Sequence, residues 1–131
     1  MGREATDDEF SDLGAHEYVN LITFRPDSTA VQTTVRFVVV GDYLYVQSPR
    51  SSGKVKRIEA TGRVLVVPSN RDGAPLGRTL LGLGRTVEGK EAEAAAEALH
   101  AKYGQAHTEA MVAIAGEEQS WEIIEIRPWD E

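Results

Sequence analysis

From residue 18 to residue 68 the chain alternates short runs of β-branched and aromatic residues with turn signals, a pattern that predicts strands in preference to helices. Tyr18 to Phe24 is the first run, and Arg25-Pro26-Asp27-Ser28 ends it. Thr29 to Val40 resumes the pattern, and Gly41-Asp42 supplies a tight turn into Tyr43 to Gln47. These runs predict three consecutive antiparallel strands. Pro49-Arg50-Ser51-Ser52-Gly53 breaks the pattern, and Lys54 to Ala60 then sets Val55 and Ile58 at helical spacing, enough for about two turns. Gly62 ends that piece, and Arg63 to Pro68 reads as a strand again. Asn70-Arg71-Asp72-Gly73 is a hairpin signal leading to a long strand from Leu76 to Glu88, whose glycines suit the bends of a curved sheet.

Lys90 to Tyr103 carries the clearest helical pattern. It is alanine-rich, with Glu91 and Glu93 in its first turn, His100 and Lys102 in its last, and Gly104 as a stop. Gln105 to Glu118 has no clean period, since Met111, Val112 and Ile114 fit neither a strand nor a helix face. Ser120 to Arg127 predicts a last strand before Pro128. The opening, Met1 to Asp12, is polar and acidic and reads as a frayed end or a short amphipathic helix. The expected organisation is an acidic N-terminal segment over 1–16 and one domain over 17–131. Six strands with one long and one short helix make the chain mainly β, a small antiparallel barrel, because a doubly wound sheet needs a helix after nearly every strand.

Composition narrows the function classes. A chain of 131 residues and 14.3 kDa fits one hydrophobic core. It has no cysteine, which excludes disulfides, thiolate metal sites and cysteine nucleophiles. The longest strongly apolar run, Val35 to Val40, is interrupted by Arg36 and falls far short of the ~20 residues of a membrane span. The first twenty residues are acidic, unlike an export leader, so a cytoplasmic domain without membrane contact is expected. The net charge of -7 conceals an asymmetry. Arg36 to Lys90 holds ten basic and four acidic residues, a balance of +6, and the remainder carries -13. Nucleic acid is a poor partner for such a molecule, because counterion release needs a broad basic face, but a small anionic ligand on the middle segment is open.

Most chemical motifs fail. Gly53-Lys54 lacks the glycine and hydroxyl of a phosphate loop, since position 48 is serine and position 55 valine. Gly82-Leu83-Gly84 begins a dinucleotide fingerprint, but Val87 occupies the third glycine position and the context is strand. His16, His100 and His107 show no metal-ligand spacing and read as exposed histidines, and Glu117-Glu118 reads as solvated charge. No nucleophile elbow exists. What survives is Tyr45 to Ile58, where a strand ends, hydroxyls and a glycine follow, and a basic helix starts. Helix N-termini favour anions, Ser51 and Ser52 can donate to phosphate oxygens, and Lys54, Lys56 and Arg57 can add charge-assisted bonds.

The order of elements and this motif resemble the pyridoxamine 5'-phosphate oxidase-like split β-barrel superfamily, also called FMN-binding split barrels, and within it the branch using the deazaflavin coenzyme F-420. The resemblance rests on Tyr18-Val19-Asn20-Leu21-Ile22-Thr23-Phe24-Arg25, on Gly41-Asp42-Tyr43-Leu44-Tyr45-Val46, and above all on Ser52-Gly53-Lys54-Val55-Lys56-Arg57-Ile58. Arg63-Val64, Gly84-Arg85 and the Leu99 to Gly104 "L-x-x-K-Y-G" ending of the long helix add to it. It spans roughly residues 17 to 104 and the closing strand.

The resemblance implies a homodimer with a cofactor in a groove at each interface. By it, Lys54 meets the cofactor's phosphate, with Lys56 or Arg57 as a second basic partner. Ser48, Arg50, Ser51 and Ser52 line the phosphate and ribityl region, and Thr33, Thr34 and Val35 run beside the ring system. Arg78 and Arg85 are weaker candidates for a contribution from the partner subunit. The implied activity is a reductase passing hydride from reduced coenzyme F-420 to a conjugated small-molecule acceptor, the cofactor carrying the chemistry so that no catalytic side chain is assigned. FMN is the alternative cofactor, and a non-catalytic carrier of a cofactor or tetrapyrrole the alternative role. Two departures stand out. Arg36 lies where many relatives carry a large apolar residue, and Thr61-Gly62 replaces the usual Asp-Pro.

Overall fold

The computed structural model describes residues 10–107, 109 and 121–129. The sequence expectations for Met1 to Gly2 and on through residue 9, and for most of the 105–118 stretch, lie outside these. Among the described residues there are seven strands: β1 (Tyr18–Phe24), β2 (Ala30–Val35), β3 (Val38–Val40), β4 (Tyr43–Pro49), β5 (Arg63–Ser69), β6 (Leu80–Val87) and β7 (Trp121–Pro128). Two α-helices, α1 (Gly53–Thr61) and α2 (Gly89–Tyr103), and a 3-10 turn at Ser11–Ala15 complete the described elements. All strand pairs are antiparallel, in the order β2-β1-β5-β6-β7-β4-β3.

The count of seven corrects the expected six, and the reason is topological. The run from Thr29 to Val40 is not one strand. Its first half pairs with β1 and its second half with β4, at opposite edges of the sheet. Only Arg36 and Phe37 separate the halves, and a link of that length reaches no more than ~10 Å. The two edges therefore lie close together, and the sheet curls into a half-barrel whose seam is this link. The strand expected from Leu76 begins only at Leu80, after a bridge between Ser69 and Pro75.

Strand alternation fills the barrel. Val19 and Leu21, Leu44 and Val46, Val64 and Val66, and Ile124 and Ile126 all point inward at every second residue and are buried. Val55 and Ile58, one turn apart on α1, plug one end of this core. Phe10 and Leu13, assigned from sequence to the segment ahead of the domain, are buried in the same cluster. The opposite parity of β4 and β7, Tyr45 and Ile123, packs outward against Ala95 and Leu99 of α2. Gly62 ends α1 with φ 76°, and its carbonyl accepts from the Gly84 N–H at 2.7 Å, which ties the helix end to β6. No helix among the described residues is long and apolar enough to cross a membrane.

Candidate functional site

The cleft that best suits a ligand opens where β2, the end of β4 and the start of α1 converge. Its volume is about 350 Å³, and Thr33, Thr34, Val35, Ser48 and Lys54 line it together with Tyr18, Arg36, Gln47, Pro49, Arg71 and His107. Three of these are cations and none is a carboxylate.

Lys54 reaches the cleft because Ser52 caps α1 two residues before it. The Ser52 hydroxyl accepts from the Val55 N–H at 3.3 Å, an N-cap, and lies 2.8 Å from the buried Ser48 hydroxyl. This locks the β4–α1 corner. Lys54 is partly buried and forms no hydrogen bond or ion pair with any described residue. Burial, and then the Arg57 charge, lower its pKa from the ordinary lysine value. A partly buried ammonium with no counter-charge gains when an anion arrives.

Arg71 comes from the β5–β6 connection. The Asn70 carboxamide oxygen accepts from the N–H groups of Asp72 and Ala74 at 2.9 Å each, and Gly73 takes φ 92° to close the loop. Buried Asn20 then anchors the loop to the barrel, its amide donating to the Gly73 carbonyl at 2.8 Å while its oxygen accepts from Thr34 at 2.7 Å. So β1, β2 and the loop are joined by one polar side chain, and Arg71 is delivered to the rim.

Arg36 sits on the seam. Its guanidinium lies 5.4 Å from the centre of the Tyr103 ring and donates to the Ala106 carbonyl at 3.3 Å. His107 stacks on the same ring at 5.8 Å. Its Nε2 is 3.0 Å from the Gln47 carboxamide oxygen, and its Nδ1 is buried without a hydrogen-bond partner among the described residues. Burial, followed by the charges of Arg36 and His100, lowers the His107 pKa, so the ring is neutral at pH 7. It is not the exposed histidine that the sequence suggested.

Other residues singled out from sequence stand elsewhere. Arg50 pairs with Glu122 at 3.2 Å, and Ser51 is exposed outside the cleft lining. Ser52 caps α1 without lining the cleft. Lys56 is exposed, two residues and ~200° around the helix from Lys54. Arg57 turns to β1, its Nε donating to the Thr23 hydroxyl at 2.6 Å. Arg78 lines a separate hollow with His16 and Leu76, and Arg85 is held by buried Glu125 at 3.1 Å and by Glu91 at 3.8 Å. The departure at Arg36 was visible as a charge inside an apolar run, and Arg71 as a basic residue in a turn. Nothing local marks His107 or Gln47.

No protein-family model matches the sequence, and no curated protein matches it. Solved structures do match in fold. A Listeria innocua protein assigned as a pyridoxamine 5'-phosphate oxidase superposes with a TM-score of 0.62 at 17% identity, over 96% of this chain and 94% of its own. An F-420 reductase superposes with a TM-score of 0.60 at 23% identity, over 92% of each chain. The heme storage protein HutZ of Vibrio cholerae gives 0.66 at 12% identity, over 96% of this chain and 92% of its own. The chain thus has the fold of the pyridoxamine 5'-phosphate oxidase-like split barrels.

Proposed function

We propose that this chain is an oxidoreductase that binds a phosphate-bearing deazaflavin, coenzyme F-420, in the cleft at the seam, and passes hydride between it and a conjugated small-molecule acceptor. The observation that carries the reading is the cleft's charge. Lys54, Arg36 and Arg71 line it with no carboxylate among the described residues, in a protein whose net charge is -7. Lys54, unpaired among the described residues, is suited to the phosphate, with Ser48 in the same lining. Thr33 to Val35 offer a strand against which a flat ring can lie. When bound, the deazaflavin supplies the hydride chemistry, and the protein supplies position and charge. Arg36 and Arg71 add charge beyond what one phosphate needs, which favours the glutamate-bearing deazaflavin over FMN. An F-420 reductase among proteins of the same fold supports the reading.

The same reading includes a homodimer. Leu81 and Leu83 project outward from β6 and Trp129 is hydrogen-bonded beside them, its backbone N–H donating to the Leu81 carbonyl at 3.1 Å. This outward apolar row is the surface assigned to the subunit contact.

Fluorescence titration of the protein with coenzyme F-420, FMN and hemin tests the cofactor. Saturation by the deazaflavin at micromolar or lower concentration, with FMN and hemin weaker, is the expected result. Tighter FMN binding would replace the deazaflavin assignment with a flavin one, and preference for hemin would move the chain to the non-catalytic carrier role. Failure of all three would remove the cleft as a cofactor site.

A further inference from the structure

The seam poses a hydrogen-bonding problem. Phe37 is fully buried, yet it lies between β2 and β3, outside both ladders. Its backbone N–H and C=O therefore need partners from another element. The end of α2 supplies them. The Phe37 N–H donates to the Tyr103 hydroxyl at 3.0 Å, and the Lys102 ammonium donates to the Phe37 carbonyl at 3.1 Å and the His16 carbonyl at 2.8 Å. With Lys102 on Phe37, the single proton of the Tyr103 hydroxyl is available to the Glu17 carbonyl at 2.7 Å, the Phe37 carbonyl being its alternative acceptor at 2.8 Å. Burial raises the Tyr103 pKa to about 12, so this proton stays in place at neutral pH. The Lys102 ammonium also lies 3.8 Å from the centre of the Phe37 ring.

One residue earlier is Arg36, whose guanidinium rests over the Tyr103 ring and whose position lines the cleft. Tyr103 therefore touches the seam twice, through its hydroxyl at Phe37 and its ring at Arg36. Resting on the cofactor reading above, we propose that Tyr103 is a positioning residue: it holds the seam so that Arg36 meets an acceptor oxygen of the bound ligand already ordered. Arg36 is then the residue by which this cleft departs from a site that grips phosphate alone. The ordering matters because a long arginine side chain otherwise loses rotamer freedom on binding.

The test is a double-mutant cycle read by ligand affinity. Arg36→Ala is expected to weaken F-420 or FMN binding roughly tenfold, the loss of one charge-assisted bond. Tyr103→Phe keeps the ring and removes the hydroxyl, and is expected to weaken binding about threefold or more. The double variant should bind no more weakly than Arg36→Ala alone, since Tyr103 acts through Arg36. Val64→Ala, in the core away from the cleft, controls for lost stability and should leave affinity unchanged. Multiplying effects in the cycle, or wild-type affinity in Tyr103→Phe, would overturn the proposal.

A second readout needs no ligand, so the proposal stays testable if the cofactor reading fails. In the free protein the Arg36 guanidinium carbon lies 5.4 Å from the centre of the Tyr103 ring, so the neighbouring δ-protons should feel its ring current and resonate away from their ordinary position. Tyr103→Phe should move them back toward it. Unmoved δ-protons would show that the hydroxyl does not position Arg36, whatever the cleft binds.

Discussion

Lys54 and Arg57 stand three residues apart on one short helix and face different tasks. Lys54 lies in the cleft without a partner among the described residues, whereas Arg57 is committed to Thr23. Lys54→Ala is therefore expected to weaken cofactor binding by ~1.5–3 kcal/mol, the scale of a hydrogen bond to a charged group, in the fluorescence titration. Arg57→Ala in the same titration is expected to leave affinity within about twofold and to lower stability by ~1 kcal/mol in a urea melt, through its lost bond to Thr23. The lowered Lys54 pKa adds a pH signature. Binding of an anion favours the ammonium, so affinity should fall as pH rises through a value below that of an ordinary lysine. A Lys54→Met variant should lose this dependence, and an unchanged pH profile in it would remove Lys54 from the site.

At the scale of elements, caps and clamps hold the cleft's walls. Ser52 caps α1 but does not line the cleft. Ser52→Ala should cost ~1 kcal/mol in chemical denaturation while ligand affinity changes little. A large affinity loss would instead place Ser52 in the site. The α2 end behaves differently with pH. Burial lowers Lys102 to about 8 from its ordinary 10.5. Between these values the unfolded chain binds more protons than the folded one, so this group makes stability rise with pH across about 8 to 10.5. Below about pH 8 its full penalty is present, and above about 10.5 it vanishes. Subtracting the stability–pH curve of Lys102→Met from that of the wild type should expose this rise, and a flat difference would refute it. The helix was legible from its alanines and its charged ends. Its clamp was not, because Lys102 and Tyr103 bond to backbone carbonyls some 65 to 86 residues away, which no spacing encodes.

For the whole molecule, the outer face of the sheet is covered unevenly. Helix α2 packs over β3, β4 and β7, while Leu81 at 54% exposure and Leu83 at 39% remain open on β6. A subunit contact there predicts that a Leu81→Arg, Leu83→Arg double variant sediments as a monomer while keeping its circular dichroism spectrum. Dimers surviving in that variant would move the contact to another surface.

What the amino-acid sequence determined by itself was local. The strand alternation, both helices with their glycine stops, the Ser52-Gly53-Lys54 corner and the absence of cysteine chemistry all depend on neighbours within a few residues. Tertiary structure decided the rest. It alone split the 29–40 run at Arg36-Phe37, because the curl of the sheet sends its halves to opposite edges. It also turned Arg57 away from the cleft and brought in Arg71, Gln47 and His107. The cleft gathers residues from position 18 to position 107, and a curled sheet can juxtapose such positions whatever their separation along the chain.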